Sequence, residues 1–409
     1  MRALTIRILS MAIAMIAVLL KVVDVANAED FDEESRRAME LASKYYERAQ
    51  LRAMDFKELR VYSDHGVNHA ELVAIKAQAA ADAIDATVEG NRYYAPIYDR
   101  LELQIAALFH DTGMDGGTLK EYTDGNKLRK DHSLNSAIHV LENRSFIEAL
   151  NVDADCVALD CMLHSKSCSG VRDLTSLADW NECFTRIEAA VDAYNEKYPD
   201  SVIYFDTSIW TENPDVVDPN MTYNFNREMM AMTASVAAAL RLGDANREAA
   251  QYPYTQGGER IEVDFNSYVG DAETWQDEVK NADVRLINAR GEVTSLKGGT
   301  FDPKGYDRLY PAGEGNLSMD CVFNPKTRAV QEQFRVHNAL HAPRSTLECI
   351  EERLGELDTM KRLKVEAAVF IDGSALERND LKRIQKIYRQ YCKGAKKKHG
   401  FAVRLYINR

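Results

Sequence analysis

Leu101 to Gly116 reads LELQIAALFHDTGMDG, and this stretch decides the fold. Leu101, Ile105, Leu108 and Phe109 recur at helical spacing, which predicts one apolar helix stripe. His110 and Asp111 stand at the end of that stripe. An imidazole and a carboxylate on adjacent residues at a helix end can both reach one divalent cation. The dipeptide by itself carries little information. It gains weight because further His and Asp residues follow the same rhythm on both sides. His69 lies in DHGVNHAELV, His132 in KDHSLNSAIHVL, His164 in DCMLHSKSCSG and Asp244 in ALRLGDANRE. Each ends or sits inside an apolar-periodic segment. His69 and Asp244 are so far apart in sequence that only folding brings them together.

Working outward, the pattern predicts a helical bundle from about 30 to 250. Phe31 to about Arg60 reads as a charged amphipathic helix. About Gly66 to Glu89 reads as a second, whose Ala70, Val73, Ala74, Ala77, Ala80, Ala81 and Ile84 suit close packing. Further helices are expected at about Ala95–Phe109, from near Ser133, at Asp155–Leu163, at Thr185–Tyr198 and after Asn224. Pro199 to Tyr223 reads as an excursion over the bundle. After Tyr252 the texture changes to alternation and Gly-rich turns. RIEVDF, DVRLINARGEV and VQEQFRVHNAL read as strands. The last hundred residues predict strand-helix-strand-helix-strand, a small α/β unit beside the bundle. The expected class is therefore mainly α, with a smaller α/β C-terminal domain. The expected division is a segment 1–28, a helical metal-binding domain 29–254 and an accessory domain 255–409 of unassigned role.

The first 28 residues carry Arg2 and Arg7, an apolar run from Ile8 to Leu20, and Ala26-Asn27-Ala28. This reads as a secretory signal peptide or an N-terminal membrane anchor, and the run is short for a comfortable span. The protein is then exported or membrane-anchored; otherwise it is cytoplasmic. The seven cysteines are odd in number and show no C-x-x-C spacing, which favours free buried thiols and leaves disulfides open. The chain of 409 residues has a formal net charge of -13. Taken over the whole surface, that charge disfavours a nucleic-acid polymer as partner. It is compatible with a small anionic substrate, because a bound metal inverts the local field.

The ordered set His69, His110-Asp111, His132, His164, Asp244 resembles the HD superfamily of metal-dependent phosphohydrolases. Asp64-His65-Gly66 and Arg241-Leu242-Gly243-Asp244 add to the likeness, which covers about residues 61 to 250. The resemblance implies that His69, His110, Asp111 and Asp244 hold a first divalent transition metal. It also implies that His132 and His164 hold a second, with Asp111 bridging. The ion or ions would be Mn, Fe, Co, Ni or Zn. His110 and Asp111 are then the catalytic pair of a phosphohydrolase that cleaves a nucleotide or related phosphorylated small molecule with a metal-activated hydroxide. Lys166 and Arg241 are candidates for phosphate contact.

Two departures bear on the substrate. The HDxGK continuation reads His110-Asp111-Thr112-Gly113-Met114 and lacks the lysine, and the HHExxDGxGYP signature of the cyclic-di-GMP branch is absent. Two other readings share the ligand set: a non-catalytic nucleotide-sensing module coupled to the C-terminal domain, and a diiron oxygenase. Of the remaining histidines, His139 reads as a core or supporting residue, His65 as a supporting or packing one, and His399 as a solvated helix end. His337 and His341 share a metal-like spacing without a carboxylate between them.

Overall fold

A computed structural model describes residues 33–55, 66–88, 100–117, 119–165, 177–212, 226–244, 260–264, 283–287, 293–296, 317–337, 339–340, 343–358, 360, 363–374 and 376–408. Its first part is helical: α1 (Glu33–Asp55), α2 (Val67–Val88), α3 (Arg100–Phe109), α4 (Gly125–Glu142), α5 (Arg144–Glu148), α6 (Ala154–Leu163), α7 (Leu177–Lys197), α8 (Ser208–Thr211) and α9 (Arg227–Asp244). A short 3-10 turn, Thr112–Asp115, joins α3 to the segment before α4. Among the described residues no helix is long and apolar enough to cross a membrane. Segment 1–28, with its signal or anchor reading, lies outside them, as do His65, Lys166, Cys168 and His341.

The small-residue face of α2 explains how the bundle closes. Ala70, Val73, Ala74, Ala77, Ala80, Ala81 and Ile84 are all buried. Such a face lets a neighbouring backbone come close. Helix α9 does so at Gly243, where an added Cβ would lie 2.6 Å from the Val73 carbonyl oxygen and 2.8 Å from the Ala77 nitrogen. One residue further on is Asp244, so this close approach aims Asp244 at the start of α2, where His69 sits.

Helix α4 begins earlier than its apolar residues suggest. The expected start near Ser133 moves back to Gly125, because Asp124 caps the helix by accepting from the Asn126 N–H. His132 therefore sits inside a helix rather than before one. Helix α6 starts at a second cap, where the Asp153 carboxylate accepts from the Asp155 and Cys156 N–H groups, and all ten of its residues are buried. Arg144 reaches across to donate to both oxygens of Asp155 at 2.6 and 2.7 Å and to the Tyr204 carbonyl at 2.8 Å. This contact ties the excursion after α7 to the bundle.

The C-terminal part holds β1 (Arg260–Asp264), β2 (Asp283–Ile287) and β3 (Val293–Leu296) in one antiparallel sheet. A second sheet holds β4 (Leu317–Asn324), β5 (Ala329–Val336), β6 (Val365–Asp372) and β7 (Ala402–Asn408) in that order. Helix α10 (Pro343–Asp358) links β5 to β6, and α11 (Arg378–His399) links β6 to β7. Pairs β5·β6 and β6·β7 are parallel, as crossover helices require, and β4·β5 is antiparallel. Strand β4 adds to the expected strand-helix pattern. Its alternation of buried Leu317, Met319 and Cys321 carried the signal.

Residues of the bundle and of this sheet belong to one continuous apolar cluster. Helix α2 lies against β4, and Lys76 on α2 donates to Asp320 on β4 at 3.2 Å. Beneath the sheet, Glu332 and Arg353 form a fully buried ion pair with Nε to Oε1 at 3.1 Å. The described cysteines, Cys156, Cys161, Cys183, Cys321, Cys349 and Cys392, are all free and buried.

Candidate metal centre

The turn after α3 is fixed before any ligand is considered. A helix leaves its last carbonyls without helical partners. Here three side chains take them: His110 Nδ1 lies 2.6 Å from the Ala107 oxygen, the Tyr46 hydroxyl donates to Leu108 at 2.9 Å, and Thr112 Oγ1 donates to Phe109 at 2.8 Å. The Gly113 N–H donates to Ser136 Oγ at 2.8 Å, which pins the turn to α4. His139 supports the same turn. It is buried, stacks on Tyr45 with centroids 4.2 Å apart, and places Nδ1 3.3 Å from Thr112 Oγ1. Burial pushes the His139 imidazole down to about 4, so it stays neutral at physiological pH.

His110, His132 and His164 share one device. Each turns Nδ1 toward the backbone carbonyl three residues earlier: Ala107 at 2.6 Å, Arg129, and Cys161 at 2.5 Å. A carbonyl can only accept, so Nδ1 carries the hydrogen and Nε2 presents its lone pair. The local helix thus sets the tautomer that a metal ligand needs.

Those lone pairs converge on Asp111. One oxygen, Oδ2, lies 3.4 Å from His69 Nε2 and 3.2 Å from His110 Nε2. Asp244 Oδ1 completes that group at 3.4 Å from His69 Nε2 and 3.7 Å from His110 Nε2. The other oxygen, Oδ1, lies 3.0 Å from His132 Nε2 and 3.5 Å from His164 Nε2. His132 and His164 Nε2 stand 3.0 Å apart. Two ligand groups therefore share Asp111: His69, His110, Asp111 and Asp244 in one, and Asp111, His132 and His164 in the other.

These spacings fit a cation. Donors about 2.1 Å from an ion stand about 3.0 Å apart at right angles and about 3.4 Å apart at tetrahedral angles. The histidine–carboxylate edges run from 3.0 to 3.7 Å. A mixed imidazole-carboxylate set suits Mn, Fe, Co, Ni or Zn. Burial points the same way. Four imidazoles and two carboxylates in a protein interior are costly unless charge is compensated.

Without metal the compensation comes from protons. Burial pushes His69 down, but hydrogen bonds to Asp111 and Asp244 outweigh it and raise His69 to about 9. His110 is likewise opposed by burial, and Asp111 and Asp244 raise it to about 10. Burial would raise Asp244, but His110 and His69 hold its carboxyl well below the usual range. His164 is lowered, chiefly by burial. Metal and proton therefore compete for His69 and His110. Metal uptake at neutral pH is expected to release protons, and affinity is expected to rise as pH approaches 9 to 10. Calorimetry in two buffers of different ionisation heat reads the proton count, and zero release would contradict the assignment. The metal-free chain is expected to behave oppositely. Stability from these raised imidazoles is complete below their ordinary value near 6.5 and is lost as pH rises through 9 to 10.

Arg241, read from sequence as a phosphate contact, is buried and donates Nε–H to the Leu163 carbonyl at 2.6 Å. That bond fixes the end of α6 beside His164. The sequence reading of His399 as a solvated helix end is corrected. Its side chain is only 4% exposed and sits 3.0 Å from Glu351, because α10 lies beside the end of α11. His337 meets Ser318 Oγ and joins no metal group among the described residues. Sequence reading missed Tyr46, Thr112, Ser136, Gly113 and Gly243, all of which act by position rather than by metal chemistry.

No family model matches the chain, and neither the curated proteins nor the solved structures provide a significant match.

Proposed function

We propose that this chain is a metal-dependent phosphohydrolase of the HD type, acting on a nucleotide or a related phosphorylated small molecule. One observation carries the reading: Asp111 stands between two histidine groups and turns one carboxylate oxygen to each. The order of the ligands along the chain supports it, as does the placement of all but His132 at or near helix ends. Bound divalent ions in such a centre would supply Lewis acidity to a phosphoryl oxygen and make water a stronger nucleophile at neutral pH. The protein's own contribution is positional. Asp111 and His110 occupy one rigid turn, and the Nδ1–carbonyl bonds hold the imidazoles in the ligating tautomer.

Asp244 is 32% exposed and His132 11%, whereas the side chains of His69, His110, Asp111 and His164 are almost fully enclosed. A phosphate ester would approach past Asp244 and His132. Lys166 follows His164 closely in sequence and is proposed to meet the phosphate there. Arg241 is proposed to act on the substrate indirectly, by holding the end of α6.

The test is turnover. Full-length protein loaded separately with Mn, Fe(II), Co, Ni or Zn is offered a panel of phosphomonoesters, phosphodiesters and nucleotides. Hydrolysis of at least one panel member with at least one ion, lost on chelation and restored on reloading, is expected. Loaded protein that hydrolyses no member of the panel, with the products separated by chromatography, would overturn the reading. Oxygen uptake by the iron form without hydrolysis would mark an oxygenase. Nucleotide binding without turnover would mark a sensor.

A further inference from the structure

Helix α11 carries a charge pattern at odds with the rest of the chain. Lys382, Lys386, Arg389, Lys393, Lys396 and Lys397 are all exposed, and none forms an ion pair among the described residues. At 100° per residue they fall within an arc of about 100°, and they run about 22 Å along the axis. Arg378 extends the stripe by one more turn. The opposite face, with Ile384, Tyr388, Cys392 and Ala395, is buried. After Asp380 the helix contains no acidic residue, although the chain as a whole carries -13. Like charges at neighbouring helical positions repel one another, so folding alone gives no reason to concentrate them.

We propose that this stripe is a docking surface for the phosphate backbone of a single-stranded nucleic acid. The shape of the charge selects this partner. A line of cations on a straight rod matches a linear polyanion, whereas a membrane presents a plane. The apolar side of α11 is already buried, so it has nothing to insert among lipid chains. The stripe shows no aromatic residue and no base-reading side-chain pair, so binding is independent of sequence. The net charge argues against nucleic acid only when it is averaged over the surface; a strand senses local charge within about a Debye length.

The experiment uses the full-length chain and fluorescein-labelled single-stranded RNA and DNA oligonucleotides, with anisotropy followed over a salt series. Affinity should fall steeply with salt, by about 0.7 log units per log unit of salt for each phosphate neutralised. The variant K382E/K386E/R389E/K393E should bind at least about tenfold more weakly at low salt, with a visibly shallower salt slope. The variant K44E/K127E/K130E/K326E makes the same change in net charge at exposed sites elsewhere and should leave binding nearly unchanged. All four replaced positions in each variant are exposed, and circular dichroism checks the fold. Equal weakening by both variants would overturn the proposal, since only overall charge would then matter. No salt-dependent binding by the parent chain would also overturn it. So would binding through this stripe to vesicles of phosphatidylcholine with phosphatidylglycerol but not to oligonucleotides.

Discussion

Asp111→Ala is expected to abolish metal binding in both groups at once. The side chain supplies Oδ2 to His69 and His110 and Oδ1 to His132 and His164. Its loss leaves one group with three donors and the other with two. Changes to residues that merely orient a ligand already weaken binding by about 10- to 100-fold. Loss of a shared ligand should exceed that in each group, so elemental analysis should find almost no metal. Asp111→Asn keeps the shape, removes the charge and should fail in the same way. The proposed hydrolysis should vanish with the metal. The metal-free fold should also weaken, by about 3 kcal/mol, because buried imidazoles lose their carboxylate. A variant that keeps its full metal content would show that Asp111 is not shared and would remove the observation on which the proposed function rests.

Gly113→Ala and Gly243→Ala are expected to damage the two ligand groups separately. At Gly113 an added Cβ would lie 2.1 Å from the His132 carbonyl oxygen and 2.6 Å from both Asn135 Cβ and the Ser136 nitrogen. Backbone atoms cannot rotate aside, so α4 must retreat and take His132 with it. At Gly243 the Cβ would press on Val73 and Ala77 of α2, which moves Asp244 from His69. Forced overpacking of this kind costs about 1–3 kcal/mol, and the Gly113 change should lie at or above the top of that range. The first variant should lose metal preferentially from the group of His132 and His164. The second should lose it from the group of His69, His110 and Asp244. Gly355→Ala is the control. It lies in a helix with nothing within 4 Å, so alanine should be neutral or stabilising by about 0.5–1 kcal/mol. Urea unfolding and metal titration of the three variants would decide. Equal behaviour of all three would contradict the packing account.

Much of this was legible from residue type and period. The stripe before His110 is a helix, and the alanine face of α2 is buried against a neighbour. The six proposed ligands, His69, His110, Asp111, His132, His164 and Asp244, come together although they are widely scattered in the chain. Periodicity was a weaker guide to boundaries. Helix α4 starts at its Asp124 cap rather than at its first apolar residues, and β4 was overlooked although its buried residues alternate. The role of Arg241 also required the fold, since only the approach of α9 to α6 gives its guanidinium the Leu163 carbonyl.

The sequence by itself determined which chemistry is available. It supplies four imidazoles and two carboxylates on apolar segments, helix caps that hold those segments, and a cationic stripe on α11. These are properties of residue identity and of local period, and they persist whatever lies beside them. Tertiary structure alone decided which carboxylate oxygen faces which histidine, which glycines let backbones close to within a Cβ of each other, and where solvent reaches the ligands. These are distances between segments distant in the chain. They are set by the packing of α2 against α9 and of the α3 turn against α4, which no local pattern encodes.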